Sequence, residues 1–176
     1  DGNTTQPNLN QIQPIKVNND PLNIILGNPD LKPSFRSSLN LSYYSYKVLT
    51  DKSIYFRGYY STTHNAIVNN TVTDAVGKST FQSINLTDKN PANFSLYGDY
   101  GQKITGTELR IGLNLSTNAN TYFNMINSVL NETRSNSYSS RISVSSYKQK
   151  KIELYWSLGP EYITNESSLQ KQINNN

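Results

Sequence analysis

From position 109 to 115 the chain reads Leu109, Arg110, Ile111, Gly112, Leu113, Asn114, Leu115. This alternation turns every second side chain of an extended strand toward an apolar medium. Residues 152–158 repeat it, with Ile152, Leu154, Trp156 and Leu158 opposing Glu153, Tyr155 and Ser157. Shorter copies obey the same rule: Leu39 and Leu41; Ile54, Phe56 and Tyr60 against Arg57; Phe94 and Leu96 against Ser95, Tyr97 and Asp99; Ile142 and Val144 against Arg141, Ser143 and Ser145. Helical periodicity is absent, so the expectation is an all-β, antiparallel up-and-down meander.

Turn residues divide the pattern into six long strands, at about 35–48, 53–68, 93–102, 107–123, 138–147 and 151–163. The connections alternate in length. Short turns are expected at Leu49-Thr50-Asp51-Lys52, Lys103-Ile104-Thr105-Gly106 and Lys148-Gln149-Lys150. Longer ones are expected at 69–91, where Gly77-Lys78 could tip a protruding hairpin, and at 124–136. Residues 1–34 read as loop and proline-rich lead-in, 35–165 as a sheet wall, and 166–176 as the start of another loop. Both ends read as loop interiors, so the chain is expected to be part of a longer protein.

Composition narrows the setting. Hydrophobic residues make up 35% and charged residues only 16%, while 13 Tyr dominate the aromatics, which favours strands over helices. The mean hydropathy of -0.63 and the lack of a long apolar run exclude a transmembrane helix. A membrane barrel stays open, because its strands need only every second residue apolar. Zero Cys rules out disulfides and thiolate metal sites, and the net charge of +4 is too dispersed for a nucleic-acid stripe.

Candidate chemistry is sparse. His64 is the single histidine and has no clustered carboxylates around it, a poor metal site. Asp99, Glu108 and Glu153 fall on separate strands and are expected to line a polar face or pair with Arg57, Arg110 or Arg141 rather than form an acid/base couple. No nucleophile elbow or phosphate-cradling glycine loop occurs. Asn40-Leu41-Ser42 and similar triplets arise from the abundance of Asn and Ser. Neither an enzyme nor a cofactor is expected.

Ahead of the first strand stands Gly27-Asn28-Pro29-Asp30-Leu31-Lys32-Pro33, preceded by Asp20-Pro21-Leu22-Asn23-Ile24. Its prolines set the backbone as extended or turned and withhold amide donors, so the segment is a rigid lead-in and not a sheet strand. In Gly27, Asn28, Pro29, Leu31, Lys32 and Pro33 it resembles the strand-entrance segment of TonB-dependent receptors and related outer-membrane β-barrels, in the branch common in Bacteroidetes. His64-Asn65-Ala66-Ile67-Val68-Asn69, the Gly77 hairpin and Leu113-Asn114-Leu115-Ser116 are similar to their counterparts there.

The resemblance implies a fragment of a large barrel in the bacterial outer membrane and a plug domain supplied by the remainder of the protein. It further implies import of an unidentified small nutrient powered through TonB, with outer-membrane lipid around the wall and no nucleic acid. On this view Leu39, Leu41, Phe94, Leu96, Leu109, Ile111, Leu113, Leu115, Ile142, Val144, Ile152, Leu154, Trp156 and Leu158 face lipid. The loops 69–91 and 124–136 lie outside the cell. Tyr43, Tyr44, Tyr46, Tyr55, Phe56, Tyr59, Tyr60, Tyr97, Tyr100, Tyr147, Tyr155 and Trp156 would gather in a girdle near the short-turn rim, with Tyr122, Phe123, Tyr138 and Tyr162 toward the other. Two alternatives remain open from the residues alone: a passive or binding-only barrel, and a soluble β-sandwich or adhesin-like module.

Overall fold

The computed structural model describes residues 1–13, 17–20, 22–147 and 153–170. In chain order they form β1 (Gly2–Thr5), the one-turn helix α1 (Leu9–Ile12), β2 (Val17–Asp20), β3 (Asn23–Leu26), β4 (Ser34–Lys47), β5 (Lys52–His64), β6 (Ala66–Thr73), β7 (Ser79–Leu86), β8 (Ala92–Lys103), β9 (Leu109–Ile126), β10 (Val129–Tyr147), β11 (Glu153–Leu158) and β12 (Glu161–Ser167). All twelve described strands belong to one open sheet. The wall is the antiparallel run β4, β5, β8, β9, β10, with β11 and β12 sharing the far side of β10.

The strand expected over 53–68 divides at Asn65, whose φ of 52° turns the chain out of the ladder. Asn tolerates this left-handed conformation better than other side-chain-bearing residues. The stretch expected as a long loop is the hairpin β6–β7, tipped at Gly77 with φ 84°. It adds to the sheet beyond the end of β8, where Asn70 and Thr71 pair in parallel with Met125 and Ile126.

The expected loop over 124–136 is instead strand. β9 continues to Ile126 and β10 starts at Val129, joined by a two-residue turn in which Asn127 and Ser128 both have positive φ, 49° and 65°. Positive φ at both central positions is the turn geometry that matches strand twist. No alternation marked these residues because Asn131, Glu132, Thr133, Arg134, Ser135 and Asn136 are polar on both faces.

The strand expected over 151–163 is broken at Gly159-Pro160 into β11 and β12. A Cβ on Gly159 would stand 1.8 Å from the Ser140 carbonyl oxygen, so only glycine fits beside β10. The start of that strand, Ile152, the turn 148–150 and residues 171–176 lie outside the described residues.

The lead-in is more ordered than a loop. β1 pairs with the start of β4, and β3 runs parallel to β7, while Gly27 to Pro33 itself is not strand. A single sheet layer has no interior, and the apolar cluster is correspondingly small: Ala66, Val68, Leu86 and Phe123, flanked by Ile84 and Leu130, all near the long-connection rim.

Candidate functional site: a two-faced strand wall and its rim

Directly paired residues of neighbouring strands share a face, so the register sorts every side chain of the wall. One row is Leu39, Tyr60, Phe94 and Ala119; the next is Leu41, Gly58, Leu96, Thr117 and Tyr138. Further down lie Tyr43, Phe56, Gly98 and Leu115, then Ile54, Tyr100, Leu113, Ile142 and Leu158, then Ile111, Val144 and Trp156, then Leu109 and Leu154. The thirteen described members of the expected apolar set therefore share one face, and Ile152 falls outside the described residues. That face is bare: Leu39 is 67% exposed, Leu154 65% and Leu113 39%. Soluble monomers rarely leave a contiguous apolar patch of more than a few hundred Å² uncovered.

The apolar band is inclined to the pairing rows. On β4 it centres on Leu41 and on β11 on Trp156, yet tracing the pairing from Trp156 through Val144, Ile111, Gln102 and Lys52 ends at Lys47, six residues past Leu41. Six residues over five steps between strands is about 1.2 residues per strand. With a rise of about 3.4 Å and a spacing of about 4.8 Å, a level apolar belt then requires strands tilted by about 40°. Membrane barrels tilt their strands by about 35–45°.

The aromatic girdle expected near the short turns is split by the same register. Tyr43, Phe56, Tyr60, Tyr100 and Trp156 stand on the apolar face, but Tyr44, Tyr46, Tyr55, Tyr59, Tyr97 and Tyr155 stand on the polar one. Adjacent residues of a strand cannot share a face, so sequence proximity to a turn overcounted the belt.

The opposite face is polar along the length of the wall strands β4, β5 and β8. Asn93 bonds Asn120 at 2.6 Å and Ser116 bonds Ser139 at 2.8 Å across strands, and the Tyr55 and Tyr97 rings meet edge to face at 5.8 Å. Arg57, Asp99 and Arg141 lie on this face by register. The ion pairs differ from those expected: Arg110 bonds Asp51 at 2.7 Å and Glu108 bonds Lys103 at 3.2 Å. Arg110 also reaches the Asp51 carbonyl and Ser53, so one guanidinium ties the β4–β5 turn to the base of β9.

Asp51 titrates below its ordinary value of 3.8; the Tyr46 hydroxyl is the main cause, opposed by desolvation and reinforced by Arg110. A depressed folded-state value means this clamp contributes fully above pH 3.8 and is lost as pH falls through the lower folded value. Near-UV circular dichroism of the tyrosines on acid titration is expected to show that step. Asp51→Asn removes it.

At the other rim the segment Gly27 to Pro33 is clasped by β7. The Asn28 side chain donates to the Ser83 carbonyl at 3.0 Å and accepts from the Asp30 amide at 3.1 Å. Asn85 accepts from the Lys32 amide at 2.8 Å and donates to the carbonyls of Lys32 and Asn65 at 2.9 and 3.0 Å. Asn65 in turn donates to the Pro33 carbonyl, and Leu31 is buried. Sequence reasoning missed Asn85, because one Asn among many carries no local signal. Asn85→Ala removes the side-chain partner of Lys32 and Asn65 backbone groups, at about 0.5–1.5 kcal/mol because these groups are exposed or part-buried. Faster proteolysis within residues 66–91 is the expected readout.

His64 ends β5 and is exposed. Among the described residues no three His, Cys, Asp or Glu converge on a possible metal position, and no helix is long and apolar enough to cross a membrane.

Residues 2–176 match the model of the outer membrane protein beta-barrel family. Comparison with curated proteins and with solved structures returned no match.

Proposed function

We propose a function from this premise: the chain belongs to the outer membrane protein β-barrel family, and its place is the outer membrane. It supplies a wall section of a receptor-type transporter resembling TonB-dependent receptors, which brings an unidentified nutrient across that membrane. Leu39, Leu41, Phe94, Leu96, Leu109, Ile111, Leu113, Leu115, Ile142, Val144, Leu154, Trp156 and Leu158 contact lipid, and the Asn, Ser, Tyr and Arg face lines a water-filled lumen. The inclined apolar band carries this reading, since a soluble sandwich would cover that face with a second sheet.

Among the described residues β4 beyond its pairing with β1, and β11, each leave an edge unpaired, and these edges require further strands to close a barrel. A plug within that barrel and energy drawn through TonB belong to the same proposal. So does the orientation, with the short turns periplasmic and the Gly27 to Pro33 clasp at the outer rim.

Residues 1–176 hold no Cys, so single cysteines introduced on either face are the only thiols within this wall. Single cysteines at Ser95, Asn118 and Ser143 are expected to react with a water-soluble maleimide in intact outer membranes, whereas those at Leu96, Leu113 and Val144 stay unlabelled. Equal labelling of both sets overturns the wall assignment. Nutrient uptake that persists after TonB is removed overturns active import and leaves a passive barrel.

A further inference from the structure

The polar face carries a groove at its long-connection end that the wall itself does not need. Residues 6–13 cross this face, anchored where the Gln11 carbonyl accepts from the Asn28 amide at 2.6 Å. A cavity lies on each side of α1, of about 480 and 730 Å³, and Asn8, Gln11 and Asn69 line both. The smaller is also lined by Ile25, Phe81, Asn10 and Asn23; the larger reaches Tyr122. Phe81 pairs with Thr71, and Thr71 with Ile126, which is in step with Tyr122 along β9. Both cavities therefore open on the face that carries Asn118 and Asn120.

The chemistry of the lining is narrow. Amides predominate, and among the described residues the side chains of Asn10 and Asn69 take no hydrogen bond and are exposed. Among the described residues Asp20 is the one charged group lining either cavity, and it already accepts from the Leu22 amide at 2.9 Å and the Asn23 side chain at 2.7 Å. With no cationic group among the described lining residues, an anion finds no counter-charge there, and with Asp20 engaged a cation finds little.

Partly exposed rings, Phe81 in one cavity and Tyr122 in the other, together with the unspent amides of Asn10 and Asn69, suit a ligand that alternates apolar faces and hydroxyl edges. We infer that this groove binds a neutral oligosaccharide, with Phe81 and Tyr122 as stacking platforms and Asn10 and Asn69 reading hydroxyls. The inference rests on the proposed orientation, in which this end of the polar face is the outer mouth of the lumen.

The test uses full-length protein in outer-membrane vesicles, with neutral gluco-, manno- and xylo-oligosaccharides, an acidic oligogalacturonide and a tryptic peptide mixture as probes. At least one neutral series is expected to bind, with affinity about tenfold weaker in Phe81→Ala and in Asn69→Ala, the size of one lost ring contact or hydrogen-bond pair. Heat-dependent gel mobility checks that each variant is a folded barrel. A folded barrel that binds no neutral series, binds only the acidic or peptide probes, or binds a sugar equally well in both variants overturns the groove assignment alone. Failure of the wild-type protein to form a barrel overturns the wall reading instead.

Discussion

Leu113→Arg is expected to abolish barrel formation, whereas Asn114→Arg one position away is tolerated. Leu113 lies in the apolar row between Tyr100 and Ile142, near the middle of the inclined band. An Arg facing the bilayer midplane costs about 2–4 kcal/mol, a large share of the stability of an ordinary domain. Asn114 lies on the polar face between Asp99 and Arg141, so a cation there meets one favourable and one unfavourable neighbour, netting within about 0.5 kcal/mol. Leu154→Arg is expected to cost less than Leu113→Arg because, among the described residues, Leu154 lies nearest the short-turn end of the band on β11 and its substitute can reach the interface. Urea unfolding in lipid together with heat-dependent gel mobility measures all three. Similar stabilities for Leu113→Arg and Asn114→Arg would remove the membrane from the account.

The second large effect is expected at Gly27→Ala. The added Cβ would stand 1.6 Å from the carbonyl oxygen of Gln13 and 2.4 Å from its carbonyl carbon, both backbone atoms that cannot swing aside. Either residues 8–13 leave their position against the rim or the Gly27 to Pro33 segment leaves its clasp. Overpacking of this kind costs about 1–3 kcal/mol. The barrel wall is expected to survive, since Gly27 touches none of its ladder. Limited proteolysis separates the two: cleavage within residues 1–33 speeds up while the long strands stay protected. Unchanged cleavage there would mean that the contact between Gly27 and Gln13 does not hold the rim together.

The glycine of the strand-entrance segment thus acquires a reason that its resemblance alone did not supply. It is the point where two stretches of backbone, fourteen positions apart, come together. Asn85 makes the complementary point, since its role depends on Lys32 and Asn65 arriving beside it. Neither relation leaves a periodic trace. The hairpin of Asn127 and Ser128 was hidden for another reason: its strands are polar on both faces, and a polar stretch reads the same whether paired or looped. The aromatic positions were legible as residues but not as a belt, because proximity to a turn says nothing about facing.

By itself the sequence determined that the chain is built of strands and which side chains share a face within each one. Both come from the two-residue period of an extended backbone, a local property that every strand carries in its own residues. The tertiary structure decided how those faces align between strands, and so the slope of the apolar band. It also decided that Asn65 sends the chain into a second hairpin, and that residues 6–13 lie across the polar face to make a groove. These depend on register and packing between segments tens of residues apart, where a shift of one residue would reverse every facing and no single segment records the choice.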